Sequence, residues 1–174
     1  VKLGDRVATL AWNGYRHFEL YYAISGIGAV CHTVNPRLSA EQMIYIINHA
    51  GDSIICVDLT FVPILVAIRD KLPSNMKYII MTDRGHIPDT VLENTLCYEE
   101  ILETGESNIE WPEFPEETAS SLCYTSGTTG NPKGSLYTHR STVLHSLTAG
   151  ISFPETMRSG VRILPVVPLF HVNA

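Results

Sequence analysis

Residues 125–134 combine hydroxyl side chains, glycines and one lysine in a pattern that could bind a phosphate group. The stretch reads TSGTTGNPKG, and four of the five residues from Thr125 to Thr129 bear hydroxyls. Glycine lets consecutive backbone N–H groups point toward one anion, hydroxyls add donors or a metal ligand, and Lys133 supplies a positive charge. The same composition is also typical of a flexible linker. Composition alone therefore leaves two interpretations open.

The segments on either side of this stretch favour an anion-binding loop. An apolar run, Leu122–Tyr124, precedes it, whereas flexible linkers usually have polar flanks. The residues after it show helical spacing, with apolar side chains at Val143, Leu144 and Leu147. A strand, a loop and a helix in that order form many phosphate-binding sites. We therefore predict a strand–loop–helix unit here.

The loop is not one of the two commonest nucleotide-binding motifs. A Walker A loop has a glycine directly before its lysine and a serine or threonine directly after it. Here Pro132 precedes Lys133 and Gly134 follows it. The dinucleotide pattern GxGxxG is also missing from the sequence. The stretch is therefore predicted to be a phosphate-binding loop of another kind.

Short apolar runs rich in β-branched residues predict the strands that must position this loop. These runs are Val7–Ala11, Val30–Val34, Ile54–Val57, Tyr78–Met81, Leu122–Tyr124 and Ile163–Val167. Segments with helical spacing lie between most of them. Such alternation is typical of an α/β fold, with a mostly parallel sheet flanked by helices. Ligands of these sheets bind beyond the carboxyl ends of the strands.

Four segments are predicted as helices. The clearest follows Ser39, which forms a capping box with Gln42 three residues later, and Gly51 is placed to end this helix. The other three are Tyr15–Ile24, Phe61–Leu72 and Leu92–Leu102.

A segment without either periodicity, SNIEWPEFPEET at 107–118, contains two prolines and several glutamates. It predicts an extended surface connector. We therefore expect an N-terminal sub-lobe over 1–106, the connector over 107–118, and a segment over 119–174. The last segment would contain the phosphate loop and the start of the next sub-lobe. All three would belong to one incomplete domain.

Charge and cysteine content limit the partners and the compartment. The 174-residue chain has a net charge of −6, which argues against general binding to nucleic acid or to anionic membranes. Its four cysteines show no CxxC spacing, and three of them lie in apolar runs. Buried free thiols in the reducing cytoplasm are therefore expected. No apolar run reaches the length of a transmembrane helix.

The sequence YTSGTTGNPKG closely resembles the signature of the acyl-adenylate-forming (AMP-binding) enzymes. These include acyl-CoA synthetases, firefly-luciferase-like enzymes and the adenylation domains of peptide synthetases. THRS at 138–141 and LPVVPLFHVNA at 164–174 agree with later family motifs in order and spacing. The second of these resembles medium- and long-chain fatty-acyl-CoA synthetases in particular. The upstream GDRVA and GAVCHTVNPRLSAEQ also resemble the N-terminal portion of the family, so the resemblance spans nearly the whole chain.

This resemblance implies roles for the loop residues. Family members join a carboxylic acid to the AMP part of ATP, release pyrophosphate, and then transfer the acyl group to coenzyme A. In this chain Lys133 would assist the β- and γ-phosphates as a catalytic residue, although an exposed lysine without a role is the competing interpretation. Thr125 would also be a ligand of Mg²⁺. The ATP phosphates would contact Thr125, Ser126, Gly127, Thr128, Thr129 and Gly130.

The resemblance also assigns a second catalytic residue, His171. It would lie where the acyl pocket meets the nucleotide, near the reacting carboxylate, with Val172 beside it. A single histidine after an apolar run is more often structural, and only the surrounding PLFHVNA motif reverses that expectation.

The implied protein activates a fatty acid with ATP, Mg²⁺ and coenzyme A. This chain would be an N-terminal fragment of it and would be inactive alone. Two alternatives stay open. One is a ligase for an aromatic or short-chain acid, and the other is a short nucleotide-binding or scaffolding module without catalysis. Some fatty-acyl relatives dimerise through this region, so a homodimer is one expectation for the oligomeric state.

Overall fold

A computed structural model describes residues 1–125 and 130–171. Its strands are β1 (Arg6–Leu10), β2 (Val30–Thr33), β3 (Ile54–Val57), β4 (Lys77–Ile80), β5 (Thr95–Cys97), β6 (Ala119–Thr125) and β7 (Lys133–Thr138). Its helices are α1 (Tyr15–Gly26), α2 (Ala40–Ala50), α3 (Val62–Ile68), α4 (Tyr98–Glu103) and α5 (His139–Ser152). Short 3-10 helices lie at Leu59–Phe61, Arg69–Lys71, Arg84–His86 and Pro154–Met157.

The strands of the described residues form one seven-stranded sheet in the order β5-β4-β3-β1-β2-β6-β7. Every neighbouring pair is parallel except β6 and β7, which are antiparallel. Successive side chains of a strand point to opposite faces, and helices cover both faces. Met43 of α2 and Leu65 of α3 lie in one buried cluster with Leu10, while Leu20 of α1 lies in another with Val7. The predicted α/β fold is confirmed.

Helix α2 shows how local chemistry sets both ends of an element. The Ser39 hydroxyl accepts a hydrogen bond from the Gln42 backbone N–H, and the Gln42 side chain accepts one from the Ser39 N–H, each at 3.2 Å. The helix ends at Gly51, whose φ of 70° is left-handed and favours glycine. A capping interaction of this kind stabilises a helix by about 1 kcal/mol. The predicted capping box and the predicted end are both confirmed.

Two predicted helices are shorter than expected. Leu92–Leu102 is wrong over its first half, because Thr95–Cys97 forms β5 and pairs with β4 instead. Only Tyr98–Glu103 is helical there. Phe61–Leu72 contains α3 at Val62–Ile68, with a 3-10 helix on either side of it.

The predicted strand Ile163–Val167 is wrong, because these residues form no strand in the described part of the chain. Pro165 has no backbone N–H to offer a neighbouring strand. The backbone oxygens of Pro165 and Val167 instead accept hydrogen bonds from the Asn13 side chain, at 3.2 Å and 3.1 Å. Side chains in this segment are largely exposed, including Ile163 at 72%.

The predicted connector contains neither helix nor strand between α4 and β6. Within it, the Trp111 ring packs on Gly26, where an added Cβ would lie 2.4 Å from the ring. The division into sub-lobes at 1–106, 107–118 and 119–174 stays a prediction.

All four cysteines are buried, as expected from the sequence, and none is in a disulfide; they are Cys31, Cys56, Cys97 and Cys123. Among the described residues, no helix has both the length and the apolar character to cross a membrane.

His17 is a buried histidine whose two hydrogen-bond partners determine which ring nitrogen bears the proton. Its Nδ1 lies 3.0 Å from the Trp12 carbonyl oxygen, and its Nε2 lies 2.9 Å from the Thr9 hydroxyl. Because a carbonyl oxygen can only accept, Nδ1 bears the proton and Nε2 accepts from Thr9. Burial lowers the pKa of His17 below its usual value of 6.5.

We expect acid to weaken the fold through His17. Because its pKa is lower in the folded chain, stability present above pH 6.5 is lost as the pH falls toward the folded pKa. The loss approaches about 1.4 kcal/mol per pH unit. Urea unfolding from about pH 7 to about pH 5 should show a smaller loss for His17→Gln than for the wild type. His145→Gln, at an exposed histidine, is the control, and equal losses in wild type and His17→Gln would contradict the prediction.

Candidate functional site

The carboxyl edge of the sheet brings two predicted sites to one place. Strands β1, β2 and β6 are neighbours and run parallel, so their last residues lie at the same edge. Thr33 ends β2 and pairs with Cys123 of β6, two residues before Thr125. The Thr33 hydroxyl also donates a hydrogen bond, 3.3 Å long, to the backbone oxygen of Phe170. The start of the loop and the segment that leads to His171 therefore both lie at this edge.

The loop lies within a β-hairpin, so the predicted strand–loop–helix unit is wrong. Thr125 of β6 pairs with Lys133 of β7, and the Thr125 hydroxyl lies 3.5 Å from the Lys133 backbone oxygen. Helix α5 begins only at His139, after a capping box between Thr138 and Ser141. A helix dipole acts within about one turn of its end. Binding of an anion here would therefore depend on backbone N–H groups and the lysine, not on this helix.

Two polar side chains among the described residues of the loop are open to solvent. The side chains of Thr125 and Lys133 are exposed. Gly130 has a φ of 91°, a left-handed conformation that side chains other than glycine's rarely adopt. Four predicted phosphate-binding residues and Val172 lie outside the described residues; the four are Ser126, Gly127, Thr128 and Thr129. Their roles stay predictions, as do those of Thr125, Gly130, Lys133 and His171.

A tyrosine directly before the loop is held by neighbours that the sequence pattern did not single out. The Tyr124 hydroxyl is 2.6 Å from Nδ1 of His49 at the end of α2. Its ring lies opposite Gly134 of β7, where an added Cβ would be 3.3 Å from the ring and 3.0 Å from Leu122. Burial raises the pKa of Tyr124, which keeps its hydroxyl protonated. Gly134 thus leaves space for the Tyr124 ring. From the sequence, the glycines of the loop were expected only to free the backbone.

A fully buried polar pair lies beside Tyr124. The His32 ring is 5.1 Å from the Tyr124 ring, centroid to centroid, and its Nδ1 lies 2.6 Å from Oδ2 of Asp52. Both side chains are 0% exposed. Burial raises the pKa of Asp52, and the hydrogen bond from His32 opposes that shift. His32 lies within the run that the sequence pattern identified only as an apolar strand, so the pattern alone could not reveal this pair.

His171 is exposed, and its backbone N–H donates to the Pro168 oxygen at 2.9 Å. The preceding Phe170 is buried, and its ring is 6.5 Å from that of Trp12, which follows β1.

No group of three or more histidine, cysteine, aspartate or glutamate side chains in residues 1–125 and 130–171 could hold a metal ion. The predicted Mg²⁺ ligand, Thr125, is not one of these residue types and stays a prediction.

Known proteins that are similar in sequence include several CoA ligases, and one family model matches the chain. The model of the family described as AMP-binding enzyme matches residues 1–174. A medium-chain-fatty-acid–CoA ligase of Ectopseudomonas oleovorans is 52% identical over 98% of this chain and 31% of its own length. A 3-methylmercaptopropionyl-CoA ligase of Ruegeria lacuscaerulensis is 52% identical over 98% of the chain and 32% of its own length. The chain thus spans about a third of these relatives.

Solved structures show the same fold. The inhibitor-bound N-terminal domain of FACL13 from Mycobacterium tuberculosis matches with a TM-score of 0.73 and 26% identity, over 99% of this chain and 40% of that one. The anthranilate CoA ligase AuaEII, in complex with anthranoyl-AMP, matches with a TM-score of 0.75 and 23% identity, over 98% of this chain and 32% of that one.

Proposed function

We propose that the complete protein is an ATP-dependent fatty-acid–CoA ligase, because this chain belongs to the AMP-binding enzyme family. One structural observation supports the proposal most. Thr125, where the loop begins, and the segment that leads to His171 both lie at the same edge of the sheet, so one bound molecule could contact both. The 52% identity to a medium-chain-fatty-acid–CoA ligase supports the reaction class.

In the proposed reaction, a carboxylate oxygen of the acid attacks the α-phosphorus of ATP. The bond to pyrophosphate breaks, and the acyl-adenylate forms. The thiolate of coenzyme A then attacks the acyl carbon, and AMP leaves. Pyrophosphate departs with added negative charge, so groups that stabilise this charge lower the barrier. Lys133 and the backbone N–H groups of the loop would do so, and His171 would hold the carboxylate near the nucleotide.

A magnesium ion fits the exposed hydroxyl of Thr125. Mg²⁺ prefers oxygen ligands and keeps several water molecules, so it needs few protein ligands when a phosphate is present. Thr125 would supply one such oxygen at the edge where the loop begins. The bound ion would neutralise phosphate charge.

The acid substrate is the least determined part of the proposal. We propose a medium-chain fatty acid, as the name of the relative from Ectopseudomonas oleovorans suggests. A short thioether acid is a second candidate, since the 3-methylmercaptopropionyl-CoA ligase is equally identical to this chain. A noncatalytic module is disfavoured, because the chain matches catalytic relatives over 98% of its length.

The proposal also includes a cellular compartment and an oligomeric state. Four buried thiols outside any disulfide support a reducing, cytoplasmic compartment. A role in lipid metabolism would follow from the proposed substrate. Helix α5 exposes an apolar row at Val143, Leu147 and Ile151. Such a row supports a contact surface, and a homodimer of the complete protein is proposed. Light scattering would measure its mass.

Exchange of labelled pyrophosphate into ATP tests the proposed function directly. The complete protein should catalyse it with medium-chain fatty acids, and a panel including 3-methylmercaptopropionate and aromatic acids would rank the substrates. The 174-residue chain alone should give no exchange. No exchange by the complete protein with any acid would contradict the proposed function, and exchange by the short chain would contradict its expected inactivity.

A further inference from the structure

The side chain of Asn13 bonds to three backbone groups of the segment that leads to His171. Its Nδ2 donates to the Pro165 oxygen at 3.2 Å and to the Val167 oxygen at 3.1 Å. Its Oδ1 accepts from the Leu169 N–H at 2.7 Å. Asn13 lies just after β1, at the carboxyl edge of the sheet. One side chain thus connects residues more than 150 positions apart at the edge where the loop begins.

Two neighbouring elements hold the next backbone groups. The Tyr21 hydroxyl of α1 donates to the Leu169 oxygen, and the Thr33 hydroxyl of β2 donates to the Phe170 oxygen. Burial raises the pKa of Tyr21, so its hydroxyl keeps the proton it donates. Polar contacts therefore hold the chain up to the residue before His171.

Within the described residues, the first part of this segment is not held by apolar burial. Leu164 and Val166 are each 83% exposed, and burial begins only at Leu169 and Phe170. Asn13 contacts both regions, because it bonds to backbone groups from Pro165 to Leu169. Among the described residues, its hydrogen bonds therefore hold the chain before the buried pair.

We propose that Asn13 is a positioning residue for His171 in the adenylation step. This inference rests on the proposed function. Asn13 does not contact substrate in this scheme, and it acts by fixing the backbone from which the His171 side chain extends. Because a misplacement of about 1 Å at a reacting group can cost about 100-fold in rate, loss of these bonds should lower turnover.

Asn13→Asp is the sharpest variant, because it changes the side chain least. The carboxylate keeps an acceptor for Leu169 but places an oxygen against the carbonyl oxygens of Pro165 and Val167. We expect the kcat of acyl-adenylate formation in the complete protein to fall by about 10- to 100-fold, with little change in the KM for ATP. Asn13→Ser, which is shorter and uncharged, should lower kcat in the same direction.

Asn48→Asp is a matched control. The Asn48 Nδ2 also donates to two backbone oxygens, those of Ile44 and Lys71, at 2.8 Å and 3.0 Å. It lies on α2, outside the proposed site, so its replacement should leave kcat unchanged.

A double-variant cycle separates positioning from general loss of structure. If Asn13 acts through His171, Asn13→Asp should lower kcat in the wild-type background and have little further effect in His171→Ala. Equal effects in both backgrounds, or no effect in the wild type, would overturn the inference while leaving the proposed function intact. An inactive wild type would contradict the proposed function itself.

Discussion

Replacement of Asp52 by leucine is expected to lower the free energy of unfolding by about 3–5 kcal/mol. Asp52 and His32 are fully buried and bonded at 2.6 Å. Removal of the carboxylate leaves the Nδ1 group of His32 buried without its partner. A buried charge or donor that loses its partner cannot recover the bonds it made to water in the unfolded chain. His32→Leu should cost a similar amount, since it isolates the carboxylate.

The double variant His32→Leu/Asp52→Leu should recover most of this loss. Apolar residues of similar volume often replace a buried pair without cost, because both desolvation penalties disappear together. Urea unfolding of the two single variants and the double variant measures the coupling. Additive losses would contradict the prediction. Asp70→Leu is the control, because the Asp70 side chain is 85% exposed beside Arg69, and an exposed pair contributes only about 0–1 kcal/mol.

Elements with complete local signals could be predicted from the sequence. Helix α2 has a capping serine, a glutamine three residues later, apolar side chains on one face and a terminal glycine. Each of these signals lies within the helix or next to it, so no distant contact is needed to interpret them. The parallel sheet followed from the alternation of such segments with short apolar runs.

Strand β7 could not be predicted in this way. Its residues pair with β6 across the loop, but from Lys133 to Leu136 they are exposed at the sheet edge. An edge strand that buries little of its surface has a weak apolar alternation. The opposite error at Ile163–Val167 has a related cause, because that apolar run is β-like in composition but bonds to Asn13 instead of a strand.

The sequence could predict which residues belong to the candidate site, but it could not predict how they are arranged in space. The motifs identified the loop and His171, because each is a contiguous stretch of sequence. The proximity of the loop to the segment before His171 depends on β2 lying next to β6. Pairing between strands about 90 residues apart leaves no local signal in the sequence. The bonds of Asn13 and the buried pair of Asp52 with His32 are also long-range side-chain contacts, which periodicity does not report.

Replacement of Lys133 by methionine is expected to slow acyl-adenylate formation by about 100-fold in the complete protein. Lys133 faces Thr125 across the hairpin, and the described residues of the loop bear no other cation. Because α5 begins six residues later, its dipole cannot replace the lost charge. The effect should therefore fall on the step in which pyrophosphate departs. Methionine keeps most of the length of the side chain and removes only its charge.

The two half-reactions distinguish this role from a structural one. Coenzyme A attacks a preformed acyl-adenylate after pyrophosphate has left, so Lys133→Met should slow pyrophosphate exchange and leave thioester formation from added acyl-adenylate unchanged. Lys77→Met is the matched control, since Lys77 is exposed at the start of β4, at the opposite edge of the parallel sheet. Equal losses in both half-reactions would indicate damage to the fold. No loss in either would mean that Lys133 is only an exposed lysine, and that the backbone of the loop stabilises the departing charge without it.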